Sequence, residues 1–226
     1  MLQPFNNRKV FAMKYKYIFF DLDGTLTDPQ EGITKCVQYA LAHFGIHEDA
    51  DNLIKFIGPP LVDSFMEFYG FSKEKALEAV EKYRERFSQI GIFENRVYDG
   101  VEDMLQKLVD TGHVLVLATS KPKVFADIIA KKFRLRPYLK MISGSELDGT
   151  RNNKDEVIEY AIEKLDCQRD RVIMVGDRRY DIIGAKKCGI ASCGVSFGYA
   201  ERGELEEAGA DYIAKDIPEL IRILMK

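Results

Sequence analysis

From Tyr98 onward, short apolar runs alternate with amphipathic helical patterns, and no other feature narrows the fold of this chain so sharply. Val101, Met104, Leu105, Leu108 and Val109 recur at helical spacing up to Gly112, and "VLVLAT" at 114–119 then reads as a strand. Val124, Phe125, Ile128 and Ile129 mark the next helix, with "KMIS" at 140–143 a candidate short strand. Val157, Ile158, Ala161, Ile162 and Leu165 form a further helix ahead of the strand "RVIMVGD" at 171–177. Ile182, Ile183 and Ala185 continue as helix, "IASCGVS" (190–196) and "ADYIA" (210–214) read as strands, and a helix closes the chain. The glycines in and between these last two strands read as loop formers. Strands and helices alternating at this spacing imply a parallel sheet covered on both faces. Unbroken apolar strands such as "VLVLA" fit burial from both sides.

An earlier strand, "YIFF" at 17–20, ends in Asp21-Leu22-Asp23-Gly24-Thr25. A helix follows, with Ile33, Cys36, Val37, Ala40, Leu41 and Phe44 on one face and Gly45 as its stop. Gly58-Pro59-Pro60 is a turn, and residues 73–89 are helical again, with Ala76, Leu77, Val80, Tyr83 and Phe87 on one side. Residues 29–95 are thus helical, without a convincing strand. They form an insertion hanging over the carboxyl end of the first strand, where open α/β sheets bind ligands.

Composition removes several classes of function. With 33 basic and 36 acidic residues mixed along 226, the net charge is −3, so a nucleic-acid partner has little support. Cys36, Cys167, Cys188 and Cys193 form no CxxC pair and no zinc spacing, which implies a reducing compartment. The N-terminus has no signal-peptide pattern, residues 1–12 read as a loose extension, and Met13 is an alternative start. No apolar run is long enough to span a membrane, and a cytoplasmic protein is expected.

Polar residues recur wherever a core strand ends. The first strand ends at Asp21 and Asp23, "VLVLA" at Thr119-Ser120-Lys121, and "RVIMV" at Gly176-Asp177, with Asp181 four residues on. Lys154 lies between the last two. Parallel strands would gather all of these at one edge of the sheet. Several carboxylates in one small volume cannot all stay ionised without a cation, and an all-oxygen site favours a hard ion such as Mg²⁺. Lysine and hydroxyl groups beside it suit a phosphate.

This pattern resembles the haloacid dehalogenase superfamily, in the branch with a helical cap inserted after the first strand. The likeness runs from about 14 to 224, and "FIGPPL", "GSELDGTR" and "VGDRRYDIIGAK" are most similar to the phosphoglycolate phosphatase and 5′-nucleotidase group. The resemblance implies a Rossmann-like α/β core over 14–28 and 97–226, a helical cap over 29–96, and an N-terminal extension over 1–13. It implies Asp21 as nucleophile and Asp23 as general acid and base, acting through an aspartyl-phosphate. Mg²⁺ would be held by the Asp21 carboxylate, the Asp23 carbonyl and Asp177, with Thr25 and Asp181 in support, the latter through water or by pairing with Lys154. Thr119, Ser120, Lys154 and the backbone at Gly24 would bind phosphoryl oxygens, and Gly58 and Pro59 would face the substrate. Many relatives carry a proline after the lysine, where this chain has Asp155.

Taken alone, a strand-end Asp pair is an ordinary turn and Thr119-Ser120 a helix cap. The run "EKYRERF" reads as a solvated helix face, so Arg84 and Arg86 are assigned no ligand, and the three histidines are assigned no chemistry. Phe197-Gly198 is placed as approaching the site from the sheet edge. The expected substrate is a small phosphorylated metabolite, a nucleoside 5′-monophosphate first and 2-phosphoglycolate second, taken by a monomer or weak homodimer. A β-phosphoglucomutase-like mutase and a non-catalytic regulatory protein are the alternatives.

Overall fold

The computed structural model describes residues 13–226; the expected extension over 1–12 lies outside the described residues. Strand β1 (Tyr17–Phe20) sits at the centre of the sheet, between β4 (Val114–Pro122) and β6 (Val172–Gly176). Phe20 is in register with Leu117 on one side and Val175 on the other. With β5 (Leu139–Ser145), β7 (Ala191–Val195) and β8 (Tyr212–Ala214), the order among the described residues is β5-β4-β1-β6-β7-β8, all parallel. The chain thus runs outward in both directions from β1, and the crevice at that reversal opens at the carboxyl ends of the strands.

Successive side chains of β1 face opposite ways. Phe19 packs with Val116, Ala118 and Met174 beneath α6 (Lys154–Leu165) and α7 (Arg179–Lys187). Ile18 and Phe20 face the other way, with Leu115 and Leu117, toward α4 (Val101–Asp110), α5 (Lys123–Lys132) and α9 (Ile217–Leu224). Both sides are closed to solvent, each buried Phe contributing about 1.5–3 kcal/mol. Burial on both faces is why these strands read as unbroken apolar runs.

The helical insertion leaves the sheet through β2 (Thr27–Asp28) and returns through β3 (Arg96–Val97), which pair antiparallel with Asp28 opposite Arg96. Between them lie α1 (Gln30–His43), a 3-10 turn over Ala50–Phe56, α2 (Leu61–Tyr69) and α3 (Lys73–Phe87). Ser72 caps α3 by accepting from the Lys75 N–H. Val37 and Leu41 of α1 share a buried cluster with Ala76, Ala79 and Tyr83 of α3.

Several elements depart from the sequence reading. β4 runs three residues past 119 and β5 extends well beyond 140–143, because the two continue pairing as far as Pro122 and Ser145. A short helix, α8 (Glu204–Ala208), interrupts the segment read as loop. All four cysteines are buried and free. Leu77 does not share the buried face of its neighbours: it is 48% exposed and lines the cavity described below. Among the described residues, no helix is long and apolar enough to cross a membrane.

Candidate active site

β1 hands over to the site through a tight turn. The Asp21 N–H still donates to Val175 O at 2.9 Å, extending the β1–β6 ladder by one bond. Leu22 is fully buried, and its carbonyl accepts from the N–H groups of Leu26 and Thr27, both at 2.9 Å. Gly24 takes φ +80° and donates to Thr27 O at 2.7 Å. A Cβ there would also enter the Asp177 carboxylate, so the position demands glycine on both counts.

Asp177 follows β6, and Asp181 lies in the first turn of α7. One carboxylate oxygen from each of Asp21, Asp177 and Asp181 falls within 4.8 Å of the others, and all three residues are buried. Lys154, the first residue of α6, reaches beneath them. Its Nζ lies 2.8 Å from Asp21 Oδ1 and 2.8 Å from Asp181 Oδ1, and donates to Ala118 O at 3.1 Å. The two carboxylate contacts are ion pairs without hydrogen-bond alignment, and Asp23 Oδ1 has no hydrogen-bond partner among the described residues. Buried carboxylate oxygens left this way are suited to a divalent cation, and an all-oxygen donor set selects a hard one.

The electrostatics agree. Burial pushes Asp177 well above the usual carboxylate range, and the charges of Asp181 and Asp21 push it further. Burial also lifts Asp181 to about 6, although Lys154 pulls the other way. Burial alone would depress Lys154, yet Asp181 and Asp21 hold it firmly protonated. Asp23 is raised by burial against the pull of Lys121, whose Nζ lies 2.6 Å from Asp23 Oδ2.

The other anticipated residues surround this centre. Thr25 Oγ1 donates to Asp177 Oδ1 at 3.3 Å. Thr119 is buried, and its Oγ1 accepts from the Lys121 N–H at 3.3 Å. Ser120 is half-buried on the cavity wall, its carbonyl held by Ser145 Oγ at 2.7 Å. Both residues read as a helix cap are still in a strand there, and Pro122 stands at the N-cap position of α5 without a capping side-chain bond. Asp155 pairs with Lys187 at 3.2 Å, so the departure from proline leaves Lys154 in place. Gly198 does approach the centre: a Cβ added to it would stand 2.6 Å from Asp177 Oδ2.

Above the centre lies a cavity of about 410 Å³ between sheet and insertion. Asp21, Asp23 and Thr119 form its floor, with Ser120, Gly58 and Pro59 on its wall beside Leu61, Val80, Tyr83 and Phe125. Three residues here are given no individual role by the sequence reading. Lys121, named there only as a strand-end residue, pairs with Asp23. Arg178 bridges sheet and insertion, donating from Nη1 to Ile57 O at 2.6 Å and from Nε to Glu204 Oε1 at 2.9 Å. Tyr199 donates its N–H to Asp177 Oδ2 at 2.8 Å and its hydroxyl to Asp28 Oδ1, and no sequence signal set it apart. Arg86, read as a solvated face, pairs with Glu94 at 2.7 Å, while Arg84 is half-buried on the cavity wall.

Comparison with known proteins decides the family. Residues 18–195 match the sequence pattern described as "Haloacid dehalogenase-like hydrolase". The chain belongs to that family. It is 47% identical to a 5′-nucleotidase of Pseudomonas aeruginosa over 94% of this chain and 97% of that protein. A crystal structure of a predicted phosphatase from Clostridium acetobutylicum superposes with a TM-score of 0.91 at 50% identity, covering 93% of this chain and 98% of that one. The tyrosine-protein kinase PtkA of Mycobacterium tuberculosis is 34% identical over 90% of this chain and 70% of its own length. The haloacid dehalogenase-like chain described here is a phosphatase, an enzyme acting on phosphoric monoesters.

Proposed function

We propose that the chain is a Mg²⁺-dependent phosphomonoesterase that works through an aspartyl-phosphate on Asp21 and acts on nucleoside 5′-monophosphates. The observation that carries this reading is the meeting of Asp21, Asp177 and Asp181 within 4.8 Å, on the floor of a cavity of about 410 Å³ with largely apolar walls. A two-carbon acid such as 2-phosphoglycolate would leave most of such a cavity unfilled, whereas a nucleoside suits its volume and its aromatic and aliphatic walls.

In this reading, residues 14–28 and 97–226 are the catalytic core and 29–96 a cap, with the paired β2 and β3 as its hinge. Asp21, Asp177 and the Asp23 carbonyl would hold Mg²⁺, with Asp181 and Thr25 behind them. The ion supplies charge neutralisation, letting an anionic ester approach an anionic nucleophile. An Asp21 oxygen attacks phosphorus as the bond to the ester oxygen breaks, and Asp23 gives its proton to the departing alkoxide. Burial raises Asp23 in the direction this role requires. Asp23 then takes a proton from the water that attacks the aspartyl-phosphate; the bond to Asp21 breaks and phosphate leaves. Lys154, Thr119, Ser120 and the backbone at Gly24 neutralise and orient the phosphoryl oxygens. Lys121, paired with Asp23, adds a further cation beside the incoming phosphoryl group.

The test is phosphate release from nucleoside 5′-monophosphates, 2-phosphoglycolate, inorganic pyrophosphate and 4-nitrophenyl phosphate, with Mg²⁺ or chelator. Asp21→Asn serves as the control. Mg²⁺-dependent release that is fastest from nucleotides and lost in Asp21→Asn supports the reading. Release that survives in Asp21→Asn, or that ignores the chelator, overturns the mechanism.

A further inference from the structure

Helix α3 presents Leu77, Val80, Tyr83, Arg84 and Phe87 to the cavity. Phe87 marks the inner end, since Lys121, the partner of Asp23, lies with its Nζ 4.7 Å from the centre of the Phe87 ring. Arg84 stands three residues away, about 4.5 Å along the helix axis, and Leu77 lies two turns further on. Arg84 lines the cavity one turn of helix away from Phe87, and its Nη1 reaches Leu147 O, not the aspartates of the floor.

Its bonding is incomplete. Arg86, Arg151 and Arg178 each have a carboxylate at ion-pair distance, but among the described residues Arg84 has none. Its only hydrogen bond among them is a long one, from Nη1 to Leu147 O at 3.4 Å. Burial lowers its pKa, and no neighbouring carboxylate restores it fully. Leu77 and Leu147, each 48% exposed, line the same cavity, so the guanidinium shares that space with apolar side chains. A donor-bearing edge among apolar side chains is complementary to a flat ring that carries an acceptor.

Resting on the nucleotide reading above, we propose that Arg84 is a specificity-determining residue that donates to a ring carbonyl of the nucleobase. A guanidinium carries donors only, so it pairs with an oxo group and is opposed by an amino group at the same position. The acceptor is a neutral carbonyl, because Glu81, Glu146 and Asp148 also line the cavity and would repel a carboxylate. Where a buried group is built to hydrogen-bond a substrate, the analogue that lacks the matching atom is penalised heavily.

The experiment compares kcat/KM for inosine against adenosine 5′-monophosphate and for uridine against cytidine 5′-monophosphate, with 4-nitrophenyl phosphate as reference. Wild type, Arg84→Met and Arg84→Lys are assayed with Mg²⁺ after thermal melts confirm their folding. Wild type is expected to favour the oxo member of at least one pair by roughly ten-fold or more, the worth of one charged hydrogen bond. Arg84→Met removes most of that preference, chiefly through KM, and Arg84→Lys keeps part of it. Equal rates on oxo and amino substrates overturn the role of Arg84 while leaving the nucleotide reading standing. So does a preference that survives in Arg84→Met, or an equal loss on 4-nitrophenyl phosphate. Hydrolysis of 4-nitrophenyl phosphate but of no nucleotide overturns both.

Discussion

Replacing Lys154 by Met keeps the length of the side chain and removes the cation that pairs with two buried carboxylates, Asp21 and Asp181. Lys154 and Asp21 are 6% exposed and Asp181 1%, so solvent screens neither of the 2.8 Å ion pairs. Removing one partner of a buried pair commonly costs about 3–5 kcal/mol. Here the cost is capped, because a stranded carboxylate can take up a proton. Asp181 sits at about 6 with the lysine present. Without the lysine it is raised further and takes up a proton near neutrality, which, with the relief of no longer burying an ammonium group, holds the loss below that range, on the order of 2 kcal/mol. Carboxyls raised in the folded state contribute most stability below their unfolded pKa and lose it as pH rises through the folded value. The deficit of Lys154→Met should therefore be largest near neutrality and close as pH falls toward about 4. Urea unfolding in chelator, followed by circular dichroism, measures it as a lower midpoint at unchanged slope. Repeating the titration in Mg²⁺ should narrow the gap, since a bound cation replaces the lost charge. An unchanged midpoint at pH 7 in chelator would refute the reasoning, for it would mean that the carboxylates do not feel one another.

Two further outcomes are expected. Gly198→Ala forces a methyl group against Gly24 O and the Asp177 side chain, so the Mg²⁺ concentration for half-maximal activity should rise while folding loses about 1–3 kcal/mol; unchanged metal dependence would show that the turn at Gly24 and Asp177 yield freely. His113 is buried with Nδ1 at 3.1 Å from Leu108 O, and burial depresses its pKa below 6.5. Its contribution is thus present above the unfolded value and lost as pH falls through the folded one, and melts of His113→Phe between pH 7 and 5 should show a flatter decline than wild type.

The floor of the cavity is legible in the sequence because it is built from strand ends. A strand's register fixes where its last residue lies, so Asp21, Thr119 and Asp177 had to meet once the strands were taken as parallel. Lys154 and Asp181 followed, being on the helix turns that open beside those ends. The walls were a different matter. Periodicity sorts α3 into faces but does not say what each face meets. The spacing groups Leu77 with buried residues although it lines open cavity, and places Arg84 on a solvated face although it lines the same space. Tyr199 was hidden for another reason: its N–H and hydroxyl reach partners 22 and 171 residues away, and nothing local to a glycine-bearing segment announces such bonds.

Asp28 and Arg96 stand opposite each other, so the chain leaves the sheet and comes back to it at a single point. To the strands below, everything from 29 to 95 is the loop of a hairpin. Closing a loop costs only about 0.6 kcal/mol more for each doubling of its length, so the sheet is nearly indifferent to how much chain is hung there. That doorway makes the enzyme modular in heredity. The insertion can be lengthened, trimmed or exchanged wholesale in one event, while the strand ends that carry the aspartates pass on unaltered.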